Sequence, residues 1–292
     1  LSKEQRDNSL DYCKSMFGFA TDNESYRSRL SFQEAVIDKN ISENGKTAVV
    51  LGEPKPTSYL DYLVGKNGEA VTYRGDFALR GMKQYWLHTK EAASGLGNNK
   101  DVGSDFYPYP KETSFTGQIR FSNLSEEELG MLLWSLLLEK NSQQNIGKGK
   151  PYGFGRVEIS LKQLNILDTA AMYDSETLCL EPYREEKELC SEYVDKAKKD
   201  MTRFLGKDVM EHPPVRDFLL MKNGNEIPDD SKTHYMSIEG RDSDYQVRNR
   251  EQIPLDTIGV VMGKEKRKTQ AQTGQGSHGN GYNSGKWGKN NS

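Results

Sequence analysis

Cysteine is scarce in this sequence: Cys13, Cys179 and Cys190 are the only three in 292 residues. They are too few and too scattered for a disulfide framework, and without a C-x-x-C pair they suggest no zinc site. A reducing, cytoplasmic compartment is the expectation. Long apolar runs are missing too, and none approaches the roughly 18 residues of a membrane span. The polar N-terminus LSKEQRDNSLDYC has no signal-peptide core. Apolar residues make up 34% of the chain. Counting Gly and leaving out Tyr still falls short of the roughly 45–50% of average globular domains. A core is expected, with much of the chain in surface, long loops or disorder. The length suits one large domain or two small ones. There is no H-x-x-x-H and no D-x-D-x-D, so neither a metal nor a cofactor is expected.

The net charge of -3 hides an asymmetry. Gly263 to Ser292 carry six Lys/Arg and one Glu, while Asp174 to Asp195 hold eight acids and two bases. An acid run of that kind reads as a solvated helix face. Bulk charge cannot be the means of gripping a nucleic acid here; a focused groove would be needed. The 263–292 tail has seven glycines and only Tyr282 and Trp287 as large groups. It cannot bury enough surface to offset its ordering entropy, so a disordered basic tail is expected. Such a tail could graze RNA or have no partner.

The strongest local signal starts at Ser114. Phe115, Ile119 and Phe121 alternate with polar residues, predicting a half-buried strand. Ser125 and Glu128 form a capping box. Leu129, Leu132, Leu133, Leu136 and Leu137 then make one apolar helical stripe. A glycine loop follows, and Val157, Ile159 and Leu161 alternate in a second strand. Strand, helix, loop, strand over one core suggests half of a ferredoxin-like α+β fold.

The loop interleaves Gly147, Gly149, Gly153 and Gly155 with Lys148, Lys150 and Arg156, and adds Tyr152 and Phe154. Its spacing is not that of a Walker loop. It follows a helix and enters a strand, the reverse of a dinucleotide fingerprint. What remains suits an extended phosphodiester: amides and cations on phosphates, aromatics on bases. The alternative is a hairpin shaped only for packing.

Together with three other stretches, this segment resembles the RAMP superfamily, the RRM-like subunits of CRISPR effector complexes. The stretches are CKSMFGF (Cys13–Phe19) with YRSRLSFQEA, LRGMKQYWLH (Leu79–His88), and, loosely, residues 209–255. The chain starts at Leu1, not Met, and is expected to be a C-terminal part of a larger type III protein. The resemblance implies a ferredoxin-like (RRM-like) antiparallel sheet with helices on one face, plus insertions. The expected organisation is a body over 1–165 with an insertion around 41–71, a packed extension over 166–262, and the tail. The implied role is to hold guide RNA, and the guide–target duplex, by its phosphate backbone, with other CRISPR effector subunits as partners. Base pairing would read the target RNA. Backbone RAMP subunits can cut target RNA with an acidic loop residue. Asp22, Glu24 and Asp76 lie near matched motifs, but none fits a catalytic pattern, and no catalytic residue is assigned.

Other residues complete the candidate set. Arg27 and Arg29 in an R-x-R on a strand would share one face and suit phosphate; salt bridges or a solvated face are the alternatives. Arg80 and Lys83, with Arg74, Tyr85, Trp86 and His88, form a second cation–aromatic cluster, with Trp86 expected partly buried. His88 with Lys83 and Tyr85 could be drawn as a metal-independent endoribonuclease site. A general RRM-like or scaffold module is the remaining reading. Residues 184–205 predict an amphipathic helix, and a short helix is expected after Pro214, using Val215, Phe218 and Leu219.

Overall fold

Ser125 caps a helix as its sequence predicts. Its hydroxyl accepts from the Glu128 N–H, and the Glu128 carboxylate accepts from the Ser125 N–H. This reciprocal pair satisfies two orphan donors. The helix runs Glu126–Leu137, with three glutamates in the first turn, where the helix dipole favours them. Leu129, Leu132 and Leu133 are buried.

The structure is a computed structural model that describes residues 10–52, 57–91, 103–174, 182–237 and 240–266. They divide into two units. One comprises residues up to Pro54 and Met82–Glu239; the other comprises Lys55–Gly81 and Gly240–Ser292. The expected tail lies almost wholly outside the described residues, as do Tyr282, Trp287 and Cys179. Among the described residues no helix is long and apolar enough to cross a membrane.

In the first unit, α1 (Tyr12–Phe17) leads into β1 (Phe19–Ala20), β2 (Ser25–Tyr26), β3 (Leu30–Phe32), β4 (Val36–Ile37) and β5 (Thr47–Val50). Next come β6 (Gly103–Phe106), β7 (Phe115–Thr116), β8 (Ile119–Phe121) and the capped helix, α2. They are followed by β9 (Gln144–Asn145), β10 (Arg156–Val157), β11 (Asn165–Leu167), α3 (Thr169–Met172) and β12 (Tyr183–Glu185). The unit closes with α4 (Cys190–Leu205), α5 (Pro213–Met221) and α6 (Asp230–Thr233).

Three antiparallel ladders, β3·β8, β4·β7 and β5·β6, set residues 30–50 against 103–121. Leu30 faces Phe121, Val36 faces Thr116, and Thr47 faces Phe106. The register slips by one residue between successive ladders, leaving an extra residue on the first strand each time, as at a β-bulge. The second slip coincides with Pro108 and Pro110, which have no N–H to give a ladder. The strand predicted over Phe115–Phe121 is therefore broken in two.

Helix α2 packs on both sides. Leu129 and Leu133 meet Leu164 and Tyr193, while Leu132 meets Met16 and Leu30. The α2–α4 contact needs Gly130: a Cβ there would lie 1.8 Å from the Tyr193 carbonyl oxygen. The expected boundary at 165/166 falls inside this unit, because α4 packs against α2.

The strands predicted on either side of α2 do not pair with each other. β8 pairs with β3, and β10 pairs with β9 across the glycine loop. β10 ends at Val157, yet Val157, Ile159 and Leu161 are half-buried and the residues between them exposed. The helix predicted over 184–205 begins only at Cys190, because Tyr183–Glu185 are drawn into a ladder with β11. The helix expected after Pro214 starts two residues earlier, with Pro213 and Pro214 in its first turn, where a missing N–H costs nothing. Among the described residues every sheet is two-stranded. The architecture is mixed helix and strand with small antiparallel sheets.

The second unit holds a short helix Tyr59–Tyr62, strands Leu63–Val64 and Ala78–Leu79 paired antiparallel, and helices Asp244–Glu251 and Ile258–Val261. Leu60 and Leu63 are buried. Arg248 pairs with Asp61 at 3.2 Å, and the Tyr59 hydroxyl donates to Gln252 Oε1 at 2.6 Å.

Candidate nucleic-acid interface

The glycine loop is a β9–β10 hairpin closed around a single 3-10 turn, Lys150–Tyr152, with Pro151 inside it. Its four glycines all have positive φ, between 70° and 87°, a region that L side chains resist. The constraint is tightest at Gly155, where a Cβ would lie 1.7 Å from the Ile146 carbonyl oxygen. Lys148 is carried out into solvent between two of these glycines. Lys150 folds back, its amine donating to the Gly147 carbonyl at 2.6 Å.

The loop's aromatics face inward rather than outward. The Tyr152 hydroxyl donates to the Val50 carbonyl at 2.8 Å, and its ring lies 5.1 Å from that of Tyr235. Burial, with Tyr235 adding to it, pushes Tyr152 up to about 12. Phe154 is half-buried, edge-on to Phe106 at 5.1 Å. Both rings anchor the hairpin, so the base-stacking role expected of them is corrected to packing. Gly149 is buried against the same two phenylalanines.

Residues 83–88 lie along this hairpin, held to it by side chains on their carbonyls. Lys222 Nζ donates to Tyr85 at 3.1 Å, Asn145 Nδ2 to Trp86 at 3.4 Å, and Arg156 to His88 at 2.7 Å. The two stretches singled out in the sequence, about 60 residues apart, thus meet. Lys83 and Lys150 place their amines 5.5 and 5.4 Å from the centre of one ring, that of Tyr85, within cation–π range. Trp86 is half-buried.

Lys222 was not apparent from the sequence. It ends α5, where a lysine reads as an ordinary partner of the helix dipole. Here it is only 3% exposed. Besides Tyr85, its amine donates to Asn145 Oδ1 at 2.5 Å. Burial, with the charge of Lys150 adding to it, pulls its pKa down to about 8. Among the described residues none of Lys83, Lys148, Lys150, Arg156 and Lys222 forms an ion pair with a carboxylate.

The remaining candidates lie elsewhere. Arg27 is exposed, and neither it nor Arg29 is on a strand. Arg29 Nε donates to the Ser15 carbonyl at 2.9 Å, and its guanidinium binds Glu128, the Ser15 hydroxyl and the Asn123 carbonyl. That network joins α1, the chain before β3, and α2, so Arg29 is structural and not a phosphate contact. Arg80 belongs to the second unit and Lys83 to the first; Arg80 donates to the Leu255 carbonyl at 2.5 Å. Its pKa is lowered by burial, and then by the charge of Arg248. Arg74 and Asp76 are also in that unit, and Asp76 pairs with Lys66 at 3.2 Å. Asp22 and Glu24 are exposed in the β1–β2 turn.

His88 is buried, its Nδ1 3.4 Å from an Asp230 oxygen. Burial lowers its pKa, against the opposing pull of Asp230. A general acid or base must reach its substrate, and His88 is packed inward. The site can therefore concentrate positive charge along a loop edge, and it presents no accessible histidine. No protein-family model matches this sequence, and no curated protein matches it either.

Proposed function

We propose that this chain is an RNA-binding subunit of a type III-like CRISPR interference complex, of the RAMP class. It holds guide RNA and the guide–target duplex by their phosphates for antiviral defence. One observation carries the reading: Lys83, Lys150 and Arg156 meet beside buried Lys222, exposed Lys148 lies on the same hairpin, and no carboxylate is ion-paired to any of them among the described residues. Uncompensated cations on a narrow edge fit a polyanion, and exposed Lys148 sits where a phosphate can approach. Buried Tyr152 and half-buried Phe154 leave few base contacts, which suits a protein that delegates sequence reading to base pairing. In this reading the β3·β8 ladder backed by α2 belongs to a ferredoxin-like (RRM-like) body. The partners are guide RNA, target RNA and other effector subunits, in the cytoplasm.

Filter binding of a single-stranded RNA tests the proposal. Changing Lys83, Lys148 and Lys150 together to alanine is expected to abolish salt-sensitive binding. Unchanged binding would overturn the reading. Binding equally tight to RNA with and without CRISPR repeat sequence, with no association with effector subunits, would favour a general RNA-binding module.

A further inference from the structure

The residue that joins the two cationic segments is not one of those exposed to a ligand. Lys222 is held by its own backbone: its carbonyl accepts from the Gln143 N–H at 2.8 Å, and the Gly224 N–H donates to the Asn141 carbonyl at 2.8 Å. Its side chain then crosses from the end of α5 to two separate stretches, the Tyr85 backbone and the Asn145 side chain. Asn145 turns its amide nitrogen to the next carbonyl, that of Trp86. An ammonium has three donors and no acceptor, so both Lys222 bonds point the same way, from the lysine to oxygen.

We infer that Lys222 is a positioning residue for RNA binding, a buried clip that fixes the 83–88 segment against the glycine loop and so sets the spacing of Lys83 from Lys148 and Lys150. The inference rests on the RNA-binding reading and adds to it a residue that touches no RNA. A phosphodiester strand has a fixed repeat, and amines spaced to match it bind with less ordering cost than amines on two independent segments. Lys83 and Lys150 flank one ring only while the Tyr85 backbone stays in place. Without the clip, every surface cation remains, but the two segments are no longer tied.

The test compares Lys222→Met with the full wild-type chain, because methionine fills similar volume without the charge. A labelled single-stranded oligouridylate serves as probe, titrated at several salt concentrations. The expected result is affinity lower by roughly tenfold with an unchanged slope of log affinity against log salt. A residue touching phosphate directly would reduce that slope by about 0.7; such a loss, or unchanged affinity, overturns the inference. A second readout needs no RNA. Cross-linking of Lys83 to Lys148 or Lys150 by a short amine-reactive reagent should fall in Lys222→Met, and unchanged yield also overturns it. If Lys222→Met does not fold, Asn145→Ala, which removes one arm of the clip, should show the same two losses; wild-type behaviour there refutes the clip. Wild-type chain that binds no RNA defeats the underlying reading, and the cross-linking result still decides the clip.

Discussion

Arg29 and Lys222 are both cations taken largely out of water within one compact unit, and their surroundings are opposite. Arg29 meets a carboxylate, Glu128, and both side chains are 15% exposed. Lys222 meets a backbone carbonyl and an amide oxygen, and the charge of another lysine, Lys150, adds to its burial in lowering its pKa. A paired charge serves the fold it cross-links. An unpaired one, kept beside further lysines, lowers stability and leaves positive potential for something outside the chain. The difference separates a structural cluster from a binding cluster within one chain.

The paired cluster should be the more costly to break. Glu128→Ala strands the Arg29 guanidinium and removes half of a capping box, so a loss of about 3–5 kcal/mol is expected in denaturant unfolding. Burial alone would raise the Glu128 carboxyl, but hydrogen bonds from Arg29, Ser15 and the Ser125 N–H outweigh it and lower its pKa. Its stabilisation is therefore complete above the ordinary carboxylate range and is lost as pH falls through the lowered folded value. In Glu128→Gln that part of the acid sensitivity should disappear. A variant as acid-sensitive as wild type would show the pair to be idle.

Gly130→Ala comes next. Its Cβ would collide with the Tyr193 carbonyl, and overpacking of this kind costs about 1–3 kcal/mol. A melting temperature equal to wild type would mean that α2 and α4 can part freely.

The unpaired cluster should respond in the reverse sense. The unfolded Lys222 holds its proton more tightly than the folded one, so wild type should gain stability relative to Lys222→Met as pH rises from about 8 towards 10.5. The gain is bounded at about 3 kcal/mol. A flat difference across that window would place the lysine in contact with water or an acid. Smallest in stability is Lys148→Ala, within about 0.5 kcal/mol, though its salt slope for RNA should drop by about 0.7.

The two clusters also differ in how far the sequence revealed them. Ser125, Glu128 and the leucines of α2 act locally, through spacing along one helix, and the structure keeps that helix as the spacing predicts. The glycine loop was visible for the same reason: Gly147 to Gly155 require left-handed backbone within a few residues. Lys222 had no such signature, because its partners, Tyr85 and Asn145, are remote in sequence and contact order is not written in periodicity. For Arg29 the salt bridge, one of the readings left open by the R-x-R spacing, is the one that forms, because that spacing implies a shared strand face only if a strand forms. The chain there runs irregularly into β3, which turns the guanidinium to Glu128. The break in Phe115–Phe121 went unseen since alternation reports facing, not register; the slips opposite residues 33–35 and 38–46 are set by the partner strand.

Photo-cross-linking of 4-thiouridine-substituted RNA to the intact chain, with the modified peptides identified by mass spectrometry, tests the central claim most directly. Modification concentrated in peptides spanning residues 82–90 and 144–157 is the predicted result. Cross-links confined to α4, or to peptides containing neither segment, would contradict it.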